Sequence, residues 1–192
     1  MILTFWATLG RGRMDILNIG CGFNKFIGAV NVDAYECCKP DVVADLNEFL
    51  PFEDTSFDRI YAFHVFEHLH NWWGCFQECV RVLRPGGILE IRVPDESSRS
   101  ALTYRDHFRV FRPNSFAGIF ESGRGTNAWA VAQGDLPVKM VKYNQVPFRE
   151  YQWMVRWCPW LLAWCARHLR DFIWEQRFEF QKQKEAGDGS DQ

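Results

Sequence analysis

Apolar residues in the first half of this chain fall into short, β-branched runs separated by turn formers. Residues 15–19, "DILNI", end at "GCG"; "AVNVDA" (29–34) and "DVVADL" (41–46) each include a late acid. "FDRIYAF" (57–63) rises from a turn-like "EDTS", and "GILEIRVPD" (87–95) begins in a "PGG". These runs predict four or five strands before residue 95. Their near-continuous apolar character suits parallel strands covered on both faces.

Between the last two runs the period changes. Val65, Leu69, Trp72, Trp73, Phe76, Val80 and Leu83 recur at three- and four-residue steps, with Glu78, Arg81 and Arg84 off that face. This spacing predicts an amphipathic helix that ends at Pro85-Gly86-Gly87, with Asn71 a candidate cap. Strand, helix and strand in that order imply a right-handed parallel crossover.

The second half is more varied. "PNSFAGIFESG" (113–123) suggests a short helix capped at Asn114 or Ser115, and "LPVKMVKYNQV" (136–146) reads as a strand. "PWLLAWCARHLRDF" (159–172) has Pro159 in a first-turn position and sets Leu161, Trp164, Cys165, His168 and Phe172 on one side. "IWEQRFEFQ" (173–181) alternates with period two and predicts a final edge strand. The polar tail 182–192 is expected to be disordered, and residues 1–13 form an extension before Met14.

Charge and composition narrow the partners. A net charge of −2 over 192 residues supplies no drive toward a polyanion, so nucleic acid is not expected. The seven cysteines form no C-x-x-C pair, which fits reduced thiols in the cytoplasm.

Chemistry enters at "LNIGCG". Gly20 and Gly22 follow a strand, where a backbone approaches a ligand or takes positive φ. Ligands of open parallel sheets sit at the carboxyl ends of the strands. Asp33 closes the second run and can accept from a ribose diol. Asp45, late in the third, can meet an adenine amine. Either acid alone is explained as a turn cap; together with the glycines they favour a nucleoside site. No G-x-x-x-x-G-K-[ST] occurs, so a P-loop is excluded.

These ordered blocks, from "LNIGCG" through "VNVD", "DVVADL", "LPFEDTSFDRIYAFHVFEHL" and "ECVRVLRPGGILEIRVPD", resemble class I S-adenosylmethionine-dependent methyltransferases. The likeness is to a compact, type 11-like subgroup and covers about residues 15–95. It implies an open, mostly parallel Rossmann-like α/β sheet with shortened helices after the first two strands and an antiparallel final strand. It also implies one domain over 14–181, with a cofactor half (14–95) and an acceptor lid and wall (96–181). S-adenosyl-L-methionine is the implied cofactor, and the implied contacts are Asn18, Gly20, Cys21, Gly22, Asp33, Asp45, Leu46 and Phe63. Only eleven positions separate Gly22 from Asp33, so "FNKFIGA" must be a turn or a single helical turn.

His64, Glu67 and His68 also spell H-x-x-E-H, an inverted zincin pattern with His107 or Glu121 as a third ligand downstream. His64 stands at a strand exit, before regular helix geometry begins, so the zinc reading is set aside and no metal is expected. His64 is instead the first candidate base at the methyl acceptor, with His107 the second. A local packing role for His64 is the alternative. Glu67 suits a helix start, and His68 and His70 read as surface or structural groups.

The stretch 150–169 carries Trp153, Trp157, Trp160 and Trp164 and is broken by Arg156 and Pro159, so it does not span a membrane. Packing on the sheet is its simplest reading. A wall of an apolar or glycan-facing pocket, or a helix contacting membrane or a partner, are the others. The expected activity is O- or N-methylation of a small-molecule or saccharide-type acceptor. A methyltransferase-like scaffold without turnover is the alternative.

Overall fold

The computed structural model describes residues 14–112, 115–116 and 136–184. Strands β1 (Ile16–Ile19), β2 (Val30–Asp33), β3 (Val42–Val43), β4 (Phe57–Phe63), β5 (Leu83–Pro94), β6 (Val138–Pro147) and β7 (Ile173–Lys182) form one sheet in the order β3-β2-β1-β4-β5-β7-β6. The first five are parallel; β7 runs antiparallel to both β5 and β6. Helix α1 (Trp72–Val82) links β4 to β5, and α2 (Arg99–Thr103), α3 (Gln152–Trp157) and α4 (Pro159–His168) follow.

The strand register explains which side chains form the core, because directly paired residues share a face. Leu17, Ile60, Leu89 and Phe180 lie in one row, and Ile19, Ala62, Ile91 and Phe178 in the next. All eight are fully buried. Phe66 and the α1 residues Phe76, Cys79 and Val80 pack over them. Burial of a side chain this size contributes about 1.5–3 kcal/mol, so this single layer is the main stabilising element.

The other face limits the expectation of strands covered on both sides: β1 and β2 are buried on both faces, whereas β4 and β5 alternate between buried and partly exposed residues. There Asn18, Tyr61, Glu90 and Glu179 lie in register, with Phe63, Arg92 and Arg177 beside them. Phe26 folds onto Tyr61 and Phe63, and Arg92 stacks over Phe63 at 3.7 Å. Turns and one short 3-10 segment (Glu36–Cys38) join β1, β2 and β3, so no α-helix covers them on this side. The predicted shortening after the first two strands is therefore seen.

Asn71 caps α1 by accepting from the Gly74 N–H at 3.1 Å. The helix gives way at Leu83 rather than at Pro85-Gly86-Gly87, which lie inside an irregular part of β5. β7 is interior and β6 is the edge, which corrects the placement of the final strand. Buried Glu175, Gln176, Phe178 and Phe180 fit that interior position. In "PNSFAGIFESG", Ser115 and Phe116 are helical and the remainder lies outside the described residues. The four tryptophans of α3 and α4 are 52–72% exposed, so packing on the sheet does not describe them.

Candidate active site

The turn after β1 is built by hydrogen bonds rather than by a helix. Gly20 and Gly22 both adopt positive φ, +60° and +49°. A Cβ at Gly20 would fall 2.4 Å from Val65 Cγ2, whereas one at Gly22 would meet nothing within 4 Å. Gly20 is thus dictated by packing, and Gly22 opens onto free space at the strand ends. The Cys21 N–H donates to Val32 O at 3.0 Å, holding the turn against β2.

Asp33 is buried, 7% exposed. Its Oδ2 accepts from the Gly22 N–H at 2.8 Å and its Oδ1 from the Tyr35 N–H at 3.0 Å. Each oxygen keeps a lone pair, so the carboxylate can still receive a diol. Phe23, next to Gly22, and Tyr35, two positions after Asp33, are 80% and 70% exposed. Such apolar exposure next to an anchored acid fits a nucleoside.

The other expected cofactor residues have different surroundings. Asn18 is buried and donates to Asn31 Oδ1 at 2.9 Å and to Asn24 O at 3.2 Å. Asn31 in turn donates to Asp41 Oδ2 at 2.8 Å. Its amide therefore positions the glycine turn. Asp45 is exposed and accepts from both the backbone and side-chain N–H of Asn47, a turn cap with lone pairs to spare. Leu46 is buried in the core and has only its backbone to offer. Phe63 lies beneath Arg92 and against Phe26.

At the exit of β4, His64 takes a left-handed φ of +56°, uncommon for a side-chain-bearing residue and seen at functional sites. Its N–H donates to Arg92 O at 2.8 Å. Nε2 lies 3.1 Å from Glu175 Oε2 and Nδ1 3.3 Å from Glu67 Oε1. Burial pulls the imidazolium down, but the Glu175 and Glu67 carboxylates outweigh it and push His64 up to about 9. Burial raises Glu175, and the His64 and Arg177 partners bring it below the usual carboxylate range. Nε2 bonds Glu175 and Nδ1 faces Glu67 without a hydrogen bond, but a ring held charged up to about pH 9 has no free lone pair for an acceptor proton. This geometry does not suit the base role expected of His64.

Sequence reasoning passed over Glu175, which lies 111 positions from His64. It also missed Asp95, 2% exposed at the end of β5. Asp95 accepts from Ser97 N–H and O–H and from Gln145 Nε2. Burial and the charges of Asp95 and Glu96 push Tyr143 up to about 12. An acid closing a strand run was the available signal for Asp95, as it was for Asp33.

Beside His64, Trp174 tilts its ring at 5.7 Å. It contributes to a cavity of about 510 Å³ with Tyr104, Phe148, Tyr151, Thr103 and Asp171 in its lining, Arg99 at its edge. A second hollow of about 450 Å³ shares Phe148 and Trp174 and adds Glu175 and Arg177. Glu67, His68 and His107 also come together, with Glu67 buried. Glu121 lies outside the described residues.

The strand order, the glycine turn and the strand-end acids resemble those of class I S-adenosylmethionine-dependent methyltransferase domains. More particularly, residues 17–91 match the family described as "Methyltransferase domain". Among curated relatives, "Sterol 24-C-methyltransferase ERG6B" of Gibberella zeae is 29% identical over 41% of this chain and 27% of its own length. "27-O-demethylrifamycin SV methyltransferase" of Amycolatopsis mediterranei is 34% identical over 40% and 30%. The chain thus spans less than a third of those relatives' length. A SAM-dependent methyltransferase from Archaeoglobus fulgidus superposes with a TM-score of 0.60 at 15% identity, over 89% of this chain and 87% of that one. The [4+2]-cyclase SpnF superposes at 0.57 and 14% identity, over 88% and 74%. Likeness at that identity speaks to the fold.

Proposed function

We propose that this protein binds S-adenosyl-L-methionine and methylates a hydroxyl or amine of a small-molecule or saccharide-type acceptor. The observation that carries this reading is the buried Asp33, bonded to Gly22 at the strand ends with exposed Phe23 and Tyr35 beside it. Gly20 to Gly22 would face the amino-acid part of the cofactor, Asp33 the ribose and Asp45 the adenine. When bound, the cofactor supplies a methyl group on a sulfonium for in-line displacement.

What the chain's own residues do is position the acceptor and exclude water. The 510 Å³ cavity sets Trp174, Tyr104, Phe148 and Tyr151 as flat apolar walls, with Asp171 and Arg99 as polar edges. Aromatic faces with polar rims suit a sugar ring or a comparable flat acceptor. This supports residues 96–181 as the acceptor side. His64 acts as a positioning residue: its contacts with Glu67 and Glu175 tie the end of β4 to β7 beside Trp174.

The surface of α3 and α4 suggests where the acceptor is presented. Exposed Trp153, Trp157, Trp160 and Trp164 share these helices with Arg156 and Arg167, and Arg149 and Arg170 flank them. Tryptophan with arginine is the composition of an anionic bilayer interface, and we read this surface as a peripheral membrane contact. No helix among the described residues is long and apolar enough to cross a membrane. The seven unpaired cysteines, Cys37 exposed among them, fit a reducing cytoplasm.

Calorimetry of the full chain with S-adenosylmethionine and S-adenosylhomocysteine tests the proposal. Binding of both is expected; a folded protein that binds neither refutes it.

A further inference from the structure

We propose that Glu67, His68 and His107 form a binding site for a divalent ion of the zinc class. One potential ligand atom from each residue lies within 4.8 Å of the other two. The set differs from the zincin reading of the sequence, in which His64 and His68 would ligate and Glu67 would be the base.

Two orphaned polar groups from different segments point to an ion. Glu67 is 1% exposed, and neither of its oxygens has a hydrogen-bond partner among the described residues. Its charged neighbour, His64 Nδ1, lies 3.3 Å from Oε1 but outside hydrogen-bond geometry, and Oε2 lacks even that contact. His107 Nδ1 is buried and likewise without a partner. Buried carboxylate and imidazole atoms are rarely left unmatched, and each such case asks for an explanation. A cation accounts for both.

The donor chemistry is specific. Two imidazoles and one carboxylate are a recurrent set for zinc and leave a fourth position open. His68 Nδ1 faces the Asp106 carbonyl at 3.1 Å and the Asp106 carboxylate at 3.2 Å. A proton held there leaves the lone pair on Nε2, the outer arrangement common for metal-binding histidines. The His68 and His107 rings meet edge-on at 4.7 Å. Bond lengths of about 2.0–2.2 Å place tetrahedral ligands about 3.4 Å apart. To bind, the two partly buried imidazoles would rotate inward from the 4.8 Å spread.

The location gives the ion a use. Phe108 N–H donates to Glu67 O at 2.8 Å, so the segment bearing His107 already docks beside the end of β4. Tyr104, a wall of the larger cavity, contacts the His107 ring at 5.1 Å. An ion would fasten that wall to the strand end. On the methyltransferase reading, an acceptor hydroxyl in its fourth position would be acidified.

The test is zinc binding by the full chain, stripped with chelator and titrated in competition with a chromophoric chelator. One tight equivalent is expected, weakened by about 100-fold or more in His68→Ala and in His107→Ala. Circular dichroism should show both variants folded. Exposed thiols are the rival ligands, so Cys37→Ser/Cys38→Ser should bind as wild type does. Absence of a tight equivalent, its persistence in His68→Ala/His107→Ala, or its loss in the cysteine variant overturns the site. S-adenosylhomocysteine calorimetry on the same samples separates this outcome from failure of the methyltransferase reading.

Discussion

Gly22 donates its backbone N–H to Asp33 Oδ2 at 2.8 Å, and Tyr35 donates to the other oxygen, so one carboxylate joins the turn after β1 to the end of β2. Asp33→Ala removes the acceptor of both bonds and, on the proposed reading, the ribose contact with them. Hydrogen bonds to a charged group contribute about 1.5–3 kcal/mol each. S-adenosylhomocysteine should therefore bind at least about 30-fold more weakly by calorimetry. Undiminished affinity in a folded variant would place the cofactor elsewhere.

The two glycines should fail in different ways. Gly20→Ala adds a 2.4 Å clash with Val65 to the cost of a left-handed φ, about 1–2 kcal/mol for an L-residue. Gly22→Ala carries only the latter. Thermal unfolding should show the larger fall in Tm for Gly20→Ala. Val65→Ala in the same chain should relieve part of it, seen as a favourable coupling in a double-mutant cycle. Equal falls with no coupling would contradict the assignment of Gly20 to packing.

Glu175 is the charge that links β7 to His64 and Arg177, and it is 4% exposed. Removing one member of a buried pair costs about 3–5 kcal/mol, and the partial exposure of His64 reduces this to about 2. Urea unfolding of Glu175→Gln should show that loss. Glu179→Gln, which breaks the more open pair with Lys142, should cost about 0.5 kcal/mol or less. A reversed order would show that the His64 cluster is not a structural tie.

Vesicle co-sedimentation checks the membrane surface. The full chain should bind vesicles of mixed phosphatidylglycerol and phosphatidylcholine, and high salt should weaken binding. Trp157→Ala/Trp160→Ala removes two side chains that are each 72% exposed and should lower binding about tenfold or more. No binding by wild type, or no effect of the substitutions, refutes it.

The first half of the chain was legible because its information is local. β-branched runs, the Asn71 cap and the three- and four-residue spacing of α1 each mark an element within a few residues of themselves. The glycine turn and Asp33 were readable for the same reason, since only eleven positions separate Gly22 from Asp33. The interior place of β7 was not legible, because period-two alternation looks the same at an edge and between two strands. The environment of His64 depended on that pairing: its partner Glu175 arrives only once β7 has docked on β5. Tryptophan content marked α3 and α4 as unusual without saying that the rings face solvent. The pattern of Glu67 and His68 was visible from the start. Its meaning changed once His107, some forty positions later, came to lie beside them.

Without helices after β1 and β2, the first three strands are braced on one side by a few amides: Asn18 to Asn31, and Asn31 to Asp41. Such a brace opens at a lower free energy than a packed helix, since little apolar surface is exposed when it breaks. Residues 22–29 should exchange their amide hydrogens through local opening while β4 and β5 remain closed. On the proposed reading, an adenosine lodged against Asp33 would slow that exchange and would complete the wall that the missing helices leave unbuilt.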